Sequence, residues 1–289
     1  MSQILKIEGL RKEYKDFSLK DISFTLDRGY IMGFIGPNGS GKSTTIKLIM
    51  NLIHRDRGEI SIFGLDHLKN ENEVKQRIGF IYDENHFYDE LTLKQMKNVM
   101  SRFYINWNDK LYSKYMKQFH LKEDKKIKEL SKGMQMKFSL VLALSHDAEL
   151  ILMDEPTSGL DPVFRSELLD ILMDIIQNEN KSIFFSTHIT TDLEKVADYI
   201  TFIHDGRIIF SKTKDEVLDH YGVVKGGRES FTEDMKKNLI GIKKNKFNFE
   251  ALTPDANLFK STYGEEVVIE RPTLDDIMLF TVKGMDTNE

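Results

Sequence analysis

The sequence contains no cysteine, which removes disulfides, thiolate nucleophiles and cysteine-held metals from consideration. That absence suits a reducing compartment. Long apolar runs are missing too. Stretches such as Ile183 to Phe185 fall far short of the roughly 20 residues that a bilayer-crossing helix needs. The first ten residues hold no basic segment leading into an apolar stretch and no cleavage signature, so no secretory signal is expected. The expectation from these two absences is a cytoplasmic chain. A surplus of positive charge is also lacking: 41 Lys and Arg stand against 46 Asp and Glu, a formal net charge of -5. Nucleic acid is therefore not expected as the main partner.

What is present reads as ordinary globular protein. The 289 residues suffice for one large α/β domain with an appendage. Early segments such as Ile4-Leu5-Lys6-Ile7-Glu8 and Ile22-Ser23-Phe24-Thr25-Leu26 alternate in polarity, as strands of a small antiparallel sheet do. Short continuous apolar runs follow at Ile31 to Ile35, Ile78 to Tyr82, Leu150 to Met153 and Ser182 to Ser186. Helical patterns separate them, which predicts a parallel sheet with helices on both faces. The Lys-rich stretch from about 90 to 145 reads as a helical insertion, with Met96, Val99, Met100, Phe103 and Tyr104 on one packed stripe. Glycines after Tyr221, then short strand-like pieces and a short helix capped by Thr273, predict a small C-terminal α+β unit. The expected division is a body over residues 1–221 and an accessory extension over 222–289.

Gly36-Pro37-Asn38-Gly39-Ser40-Gly41-Lys42-Ser43-Thr44 has the spacing of a phosphate-binding loop and lies between an expected strand and helix. Glycines let successive N–H groups point at phosphate oxygens, and the helix that follows adds its positive end. Lys42 is expected to reach the β- and γ-phosphates and the Ser43 hydroxyl to hold Mg²⁺. The apolar strand ending in Asp154-Glu155 supplies a carboxylate for the metal and, next to it, a group to orient or deprotonate water.

With Leu130-Ser131-Lys132-Gly133-Met134 upstream of that strand, the set resembles the ABC (ATP-binding cassette) ATPases. Alone, such a segment is only a helix cap; order and company give it meaning. The resemblance covers roughly residues 4 to 220. It implies a P-loop NTPase parallel-sheet core with an N-terminal antiparallel β subdomain, an inserted helical subdomain and a small C-terminal α+β extension. It implies ATP and Mg²⁺ as ligands, with Tyr14 stacking on adenine, although Phe17 is close enough to compete. Asn38, Gly39, Gly41, Lys42, Ser43 and Thr44 would cradle phosphates, with Ser43 and Asp154 at the metal. Glu155 would be the general base and His188 the switch histidine. Ser131 and Gly133 would reach the γ-phosphate bound to a second cassette in a head-to-tail homodimer or heterodimer. Ser158-Gly159-Leu160-Asp161 looks like the loop that crosses that interface.

Three positions depart from the family pattern. Lys132 stands where a second glycine is usual in the signature and Met134 where a glutamine is, and Asp83 stands where a glutamine usually touches the metal and senses the membrane partner. Asp83 could still accept a metal contact, but it carries a charge that an amide does not. The resemblance further implies a separate transmembrane permease subunit, docked in a groove formed by residues 85–91, with Phe87 and Tyr88, and the insertion. The chain would then sit peripherally on the cytoplasmic face of the membrane. Within the family the pattern is similar to stand-alone exporter ATPases of bacteria, such as those for bacitracin-type antibiotics and for staphylococcal phenol-soluble modulins. This implies export of a peptide or drug-like substrate. The alternatives are an ABC ATPase acting on ribosomes or nucleic acid, which usually carries two cassettes or long coiled coils, and a P-loop kinase or GTPase, which has no use for the signature or His188.

Overall fold

The computed structural model describes residues 2–82 and 87–286. The chain opens with β1 (Gln3–Glu13) and β2 (Ser18–Asp27), continues into β3 (Ile31–Ile35) and α1 (Lys42–Ile49), and returns through β4 (Arg57–Ile62) and β5 (Leu65–Asp66). β2, β1, β4 and β5 pair antiparallel in that order. Alternation explains the layer: Leu19, Ile22, Phe24 and Leu26 of β2 are buried while the residues between them are not, so one face of the sheet is apolar.

That face lies on a second sheet. After α2 (Glu71–Gln76) come β6 (Ile78–Ile81), then α3 (Leu93–Met100), α4 (Asp109–Gln118) and α5 (Lys132–Ser145), then β7 (Leu150–Asp154). α6 (Pro162–Ile176), β8 (Ser182–Thr187), α7 (Thr190–Val196), β9 (Tyr199–His204) and β10 (Arg207–Thr213) complete this body. The strand order is β10-β9-β3-β8-β7-β6, parallel except for β10 at the edge. Every residue of β3 and β8 is buried, as their unbroken apolar runs require of central strands covered on both faces. Phe24, Phe34 and Phe184 join the two sheets, with ring centroids 5.2 to 5.8 Å apart. The other face is covered by the helices, whose apolar residues form one continuous core with Ile31, Ile151, Met153, Ile183 and Phe185.

The helical insertion differs from its expected stripe. α3 starts cleanly, because Thr92 and Gln95 form a reciprocal capping box. Within it Met96 is buried and Val99 exposed; the helix stops at Met100, and beyond that end Phe103 is exposed while Tyr104 turns inward onto His146. A helical period holds residues on one face only while the helix lasts.

The C-terminal segment runs through α8 (Lys214–His220), β11 (Gly222–Gly227), α9 (Glu233–Lys236), β12 (Ile240–Lys244), β13 (Asn248–Thr253), α10 (Ala256–Tyr263), β14 (Val268–Glu270) and α11 (Leu274–Asp286). Its antiparallel sheet has the order β12-β13-β11-β14 and its own small core of Val224, Met235, Phe249, Phe259 and Val267. The short helix expected after Thr273 is 13 residues long. Thr273 does cap it, accepting from Asp276 N–H while Asp276 accepts from Thr273 N–H. Among the described residues no helix is long and apolar enough to cross a membrane.

Candidate nucleotide site

The first piece of the site is the turn from β3 into α1. Gly41 has φ 113°, a left-handed conformation that favours glycine. A Cβ there would also fall 2.5 Å from a Leu19 methyl. α1 therefore opens on Lys42 and Ser43 with its N-terminal amides free of partners within the helix. Beside it lies a cavity of about 640 Å³, lined by Asp16, Phe17, Asn38, Gly39, Gly41, Lys42, Ser43, Thr44, Glu155, Ser158 and His188.

The second piece comes from the carboxyl ends of neighbouring strands. Asp154 ends β7 and Ser186 lies beside it on β8. Ser186 Oγ donates to Asp154 Oδ1 at 2.7 Å, and Ser43 Oγ donates to the same oxygen at 3.2 Å. These oxygens are hard donors of the kind Mg²⁺ takes. Among the described residues no group of three or more His, Asp or Glu could hold a metal. The small protein donor set fits a cation that keeps several waters and binds mainly through substrate phosphates.

Glu155 is the centre of the arrangement. Its φ is 47°, an unusual conformation for a non-glycine residue, costing on the order of 1–3 kcal/mol. Its N–H is held by the Ser186 carbonyl and hydroxyl oxygens, each at 3.1 Å. The bend aims the side chain at two partners. Lys42 Nζ lies 3.3 Å from Oε1, and both side chains are largely buried. His188 approaches Oε2 with its backbone N–H at 3.3 Å and its ring Nδ1 at 2.8 Å. Lys42 Nζ also donates to the carbonyls of Gly36 at 2.8 Å and Pro37 at 3.2 Å. A buried ammonium, a carboxylate and an imidazole thus converge on one polar cavity, the chemistry needed to grip phosphate and handle a water's proton.

The sequence-derived candidates separate into three groups. Asn38, Gly39, Gly41, Lys42, Ser43, Thr44, Glu155 and His188 line the cavity, and Asp154 sits behind Ser43. Ser131 and Gly133 do not line it. Ser131 caps α5, its hydroxyl accepting from Met134 N–H at 3.3 Å, and Gly133 lies so close to α6 that a Cβ would fall 2.7 Å from Phe164 Cδ1. Asp83 lies outside the described residues. Of the two aromatics near the loop, Phe17 lines the cavity and Tyr14 does not. Tyr14 is 47% exposed beyond Phe17, its ring 6.5 Å away and within cation–π range of Lys12. The reason is the tight connection after β1, where Tyr14 N–H bonds the Phe17 carbonyl and turns Phe17 back toward Gly41. Sequence reasoning missed Ser186 as a ligand-shell residue. Its signal was a hydroxyl near the end of an apolar run, immediately before Thr187 and His188.

Comparison with known proteins places this geometry in context. The family described as ABC transporter matches residues 19–158. The ABC transporter ATP-binding protein YtrB of Bacillus subtilis is 36% identical over 203 residues, spanning 70% of this chain and 69% of that protein. The bacitracin transport ATP-binding protein BcrA of Bacillus licheniformis is 32% identical over 212 residues, 72% of this chain and 69% of its own. Among solved structures, an ATP-binding subunit of an ABC transporter superposes with a TM-score of 0.67 at 30% identity, covering 74% of this chain and 91% of the other.

Proposed function

The chain belongs to the ABC transporter family as an ATP-binding, ATP-hydrolysing subunit, and from that premise we propose that it powers export of a peptide or drug-like substrate through a separate transmembrane subunit. The observation that carries the mechanism is the contact of Glu155 with both Lys42 and His188 at the cavity (3.3 Å and 2.8 Å). The triphosphate of ATP lies along the Gly39–Thr44 turn at the positive end of α1. Lys42 leaves the Gly36 and Pro37 carbonyls to meet the β- and γ-phosphates, and Phe17 supplies the aromatic face nearest the loop. Ser43 and Asp154 are the residues that would hold Mg²⁺, which when bound neutralises charge on the phosphates. Glu155 orients the attacking water and accepts its proton, and His188 fixes the carboxylate and faces the γ-phosphate. The corner of Ser131, which is exposed, and Gly133 closes over the ATP of a second cassette, excluding water as the halves meet.

Export rests on the bacitracin transport relatives, and the partner on the family. Tyr88, just before the helical insertion, and Phe103 and Ile105 on it are exposed and form the apolar part of the surface offered to a helix of the membrane subunit. Phe87 instead is half-buried and packs edge-on against Phe138 of the core, centroids 5.4 Å apart. In this reading the subunit works at the cytoplasmic face of the membrane. The test is phosphate release by the purified full chain, followed by its co-expression with the membrane protein that co-purifies with it and a challenge with cationic antimicrobial peptides. Protection that needs ATP hydrolysis supports export. A chain that hydrolyses ATP yet co-purifies with no membrane protein in mild detergent contradicts it.

A further inference from the structure

The C-terminal sheet reaches the ATP-hydrolysing body chiefly through α11. One side of this helix lies on β12, so closely that a Cβ on Gly241 would fall 1.9 Å from the Phe280 carbonyl oxygen. Leu274 and Ile277 of the same helix are buried in one apolar cluster with Leu193 and Val196 of α7. A polar contact fixes how the two helices meet. The N–H of Leu274, left without a partner inside its helix because it is the first residue, donates to Glu194 Oε1 of α7 at 2.7 Å. The Glu194 carbonyl in turn accepts from Lys214 Nζ at 2.9 Å. On its far side α7 is gripped by α6, where Arg165 Nε donates to the buried Asp192 carboxylate at 2.6 Å. α7 opens at Thr190, directly behind His188 and Ile189. It is therefore clamped between the body and the appended unit, and its start carries the histidine that holds Glu155.

We propose that Glu194 is a positioning residue through which the C-terminal unit sets the rate of ATP hydrolysis, by fixing α7 and with it His188 against Glu155; this rests on the reading of Glu155 and His188 given above. Glu194 lines no part of the nucleotide cavity, so replacing it removes no direct contact to the phosphates. The carboxylate at the start of α11 also faces that helix's positive end, which favours the docked arrangement. Loosening the contact frees α7 to shift and His188 to leave Oε2, while the loop at Gly39 to Thr44 is untouched.

The test uses the full chain with Glu194→Ala. The expected result is a kcat for ATP lowered about threefold or more, with KM and the affinity for a fluorescent ATP analogue changed by less than about twofold. Amide hydrogen exchange over residues 186–190 is expected to quicken. Glu194→Gln keeps an acceptor oxygen for Leu274 N–H and is expected to restore most of the rate. Wild-type kcat with unchanged exchange in Glu194→Ala overturns the proposal, as does a kcat loss matched by an equal loss of nucleotide affinity, which marks general loosening. Should Glu194→Ala fail to fold, Ile277→Val thins the same contact by one methylene and carries the same expectations. The exchange measurement needs no ATP, so its outcome is separable from the ATPase reading, which phosphate release by the unaltered chain tests alone.

Discussion

Glu155 divides its two oxygens between opposite tasks, Oε1 toward the Lys42 ammonium and Oε2 toward His188. Glu155→Gln keeps the shape and an acceptor oxygen but loses the basicity. It is expected to lower kcat by about 10²–10⁴ while nucleotide binding persists, as stopped-time phosphate assays and equilibrium binding would show. Wild-type turnover in this variant would remove Glu155 as the base. Lys42→Ala acts differently. It takes away the cation that meets the phosphates, so ATP affinity itself is expected to fall in a binding titration. Lys42, Ser43, Asp154 and Glu155 were legible because their spacing on a strand–loop–helix unit leaves little freedom in where they fall. Ser186 was not, because a neighbouring strand places it, and Phe17 was legible only as a competitor of Tyr14, because a tight turn places it. Neither relation has a sequence spacing.

Helices and strands are held by contacts that give the body a pH dependence. His146 ends α5, stacks on Tyr104 with centroids 3.7 Å apart, and has a buried Nδ1 without a partner among the described residues. Burial pushes its pKa down to about 4, from 6.5. The folded state therefore binds this proton less readily than the unfolded state. Stability is full above the unfolded value and declines as pH falls from there toward the folded value. His146→Phe keeps the stacked ring and is expected to flatten the loss of melting temperature between pH 6.5 and pH 4, seen in thermal scans against pH. An unchanged slope would mean His146 is already charged in the fold. Glu149, just before β7, adds a second case. Burial raises its carboxyl, but hydrogen bonds from Arg77 and Arg28 outweigh that and hold it below the usual range. It ties β6, β7 and the end of β2 together, and Glu149→Ala is expected to cost about 1.5–3 kcal/mol in denaturant unfolding at neutral pH. The alternating and continuous apolar runs made both sheets readable from the sequence. The break of the stripe after Met100 was not readable, since no glycine or proline marks it.

At the scale of the whole molecule, the proposed mechanism divides the chemistry of one chain between two separate surfaces. Lys42 and Glu155 line the cavity, whereas Ser131 lies exposed at the start of α5 and lines no part of it. In the proposed head-to-tail pair of chains the Ser131 corner of one meets the cavity of the other, and such a composite site has a distinctive consequence under mixing. Ser131→Arg places a long charged side chain on the closing surface and is expected to abolish turnover while its own phosphate loop still binds ATP. Lys42→Ala is expected to be inactive for the opposite reason. Mixed together, half of the dimers are hybrids, and each hybrid holds one site with an intact Lys42 facing an intact Ser131. The mixture is expected to recover roughly a quarter of the wild-type rate if each site works independently, since one of two sites is whole in half of the pairs. A site built within a single chain would recover nothing, because both partners in every mixture would stay defective. Phosphate release from an equimolar mixture, titrated against either variant alone, therefore reads out whether hydrolysis belongs to one chain or to two.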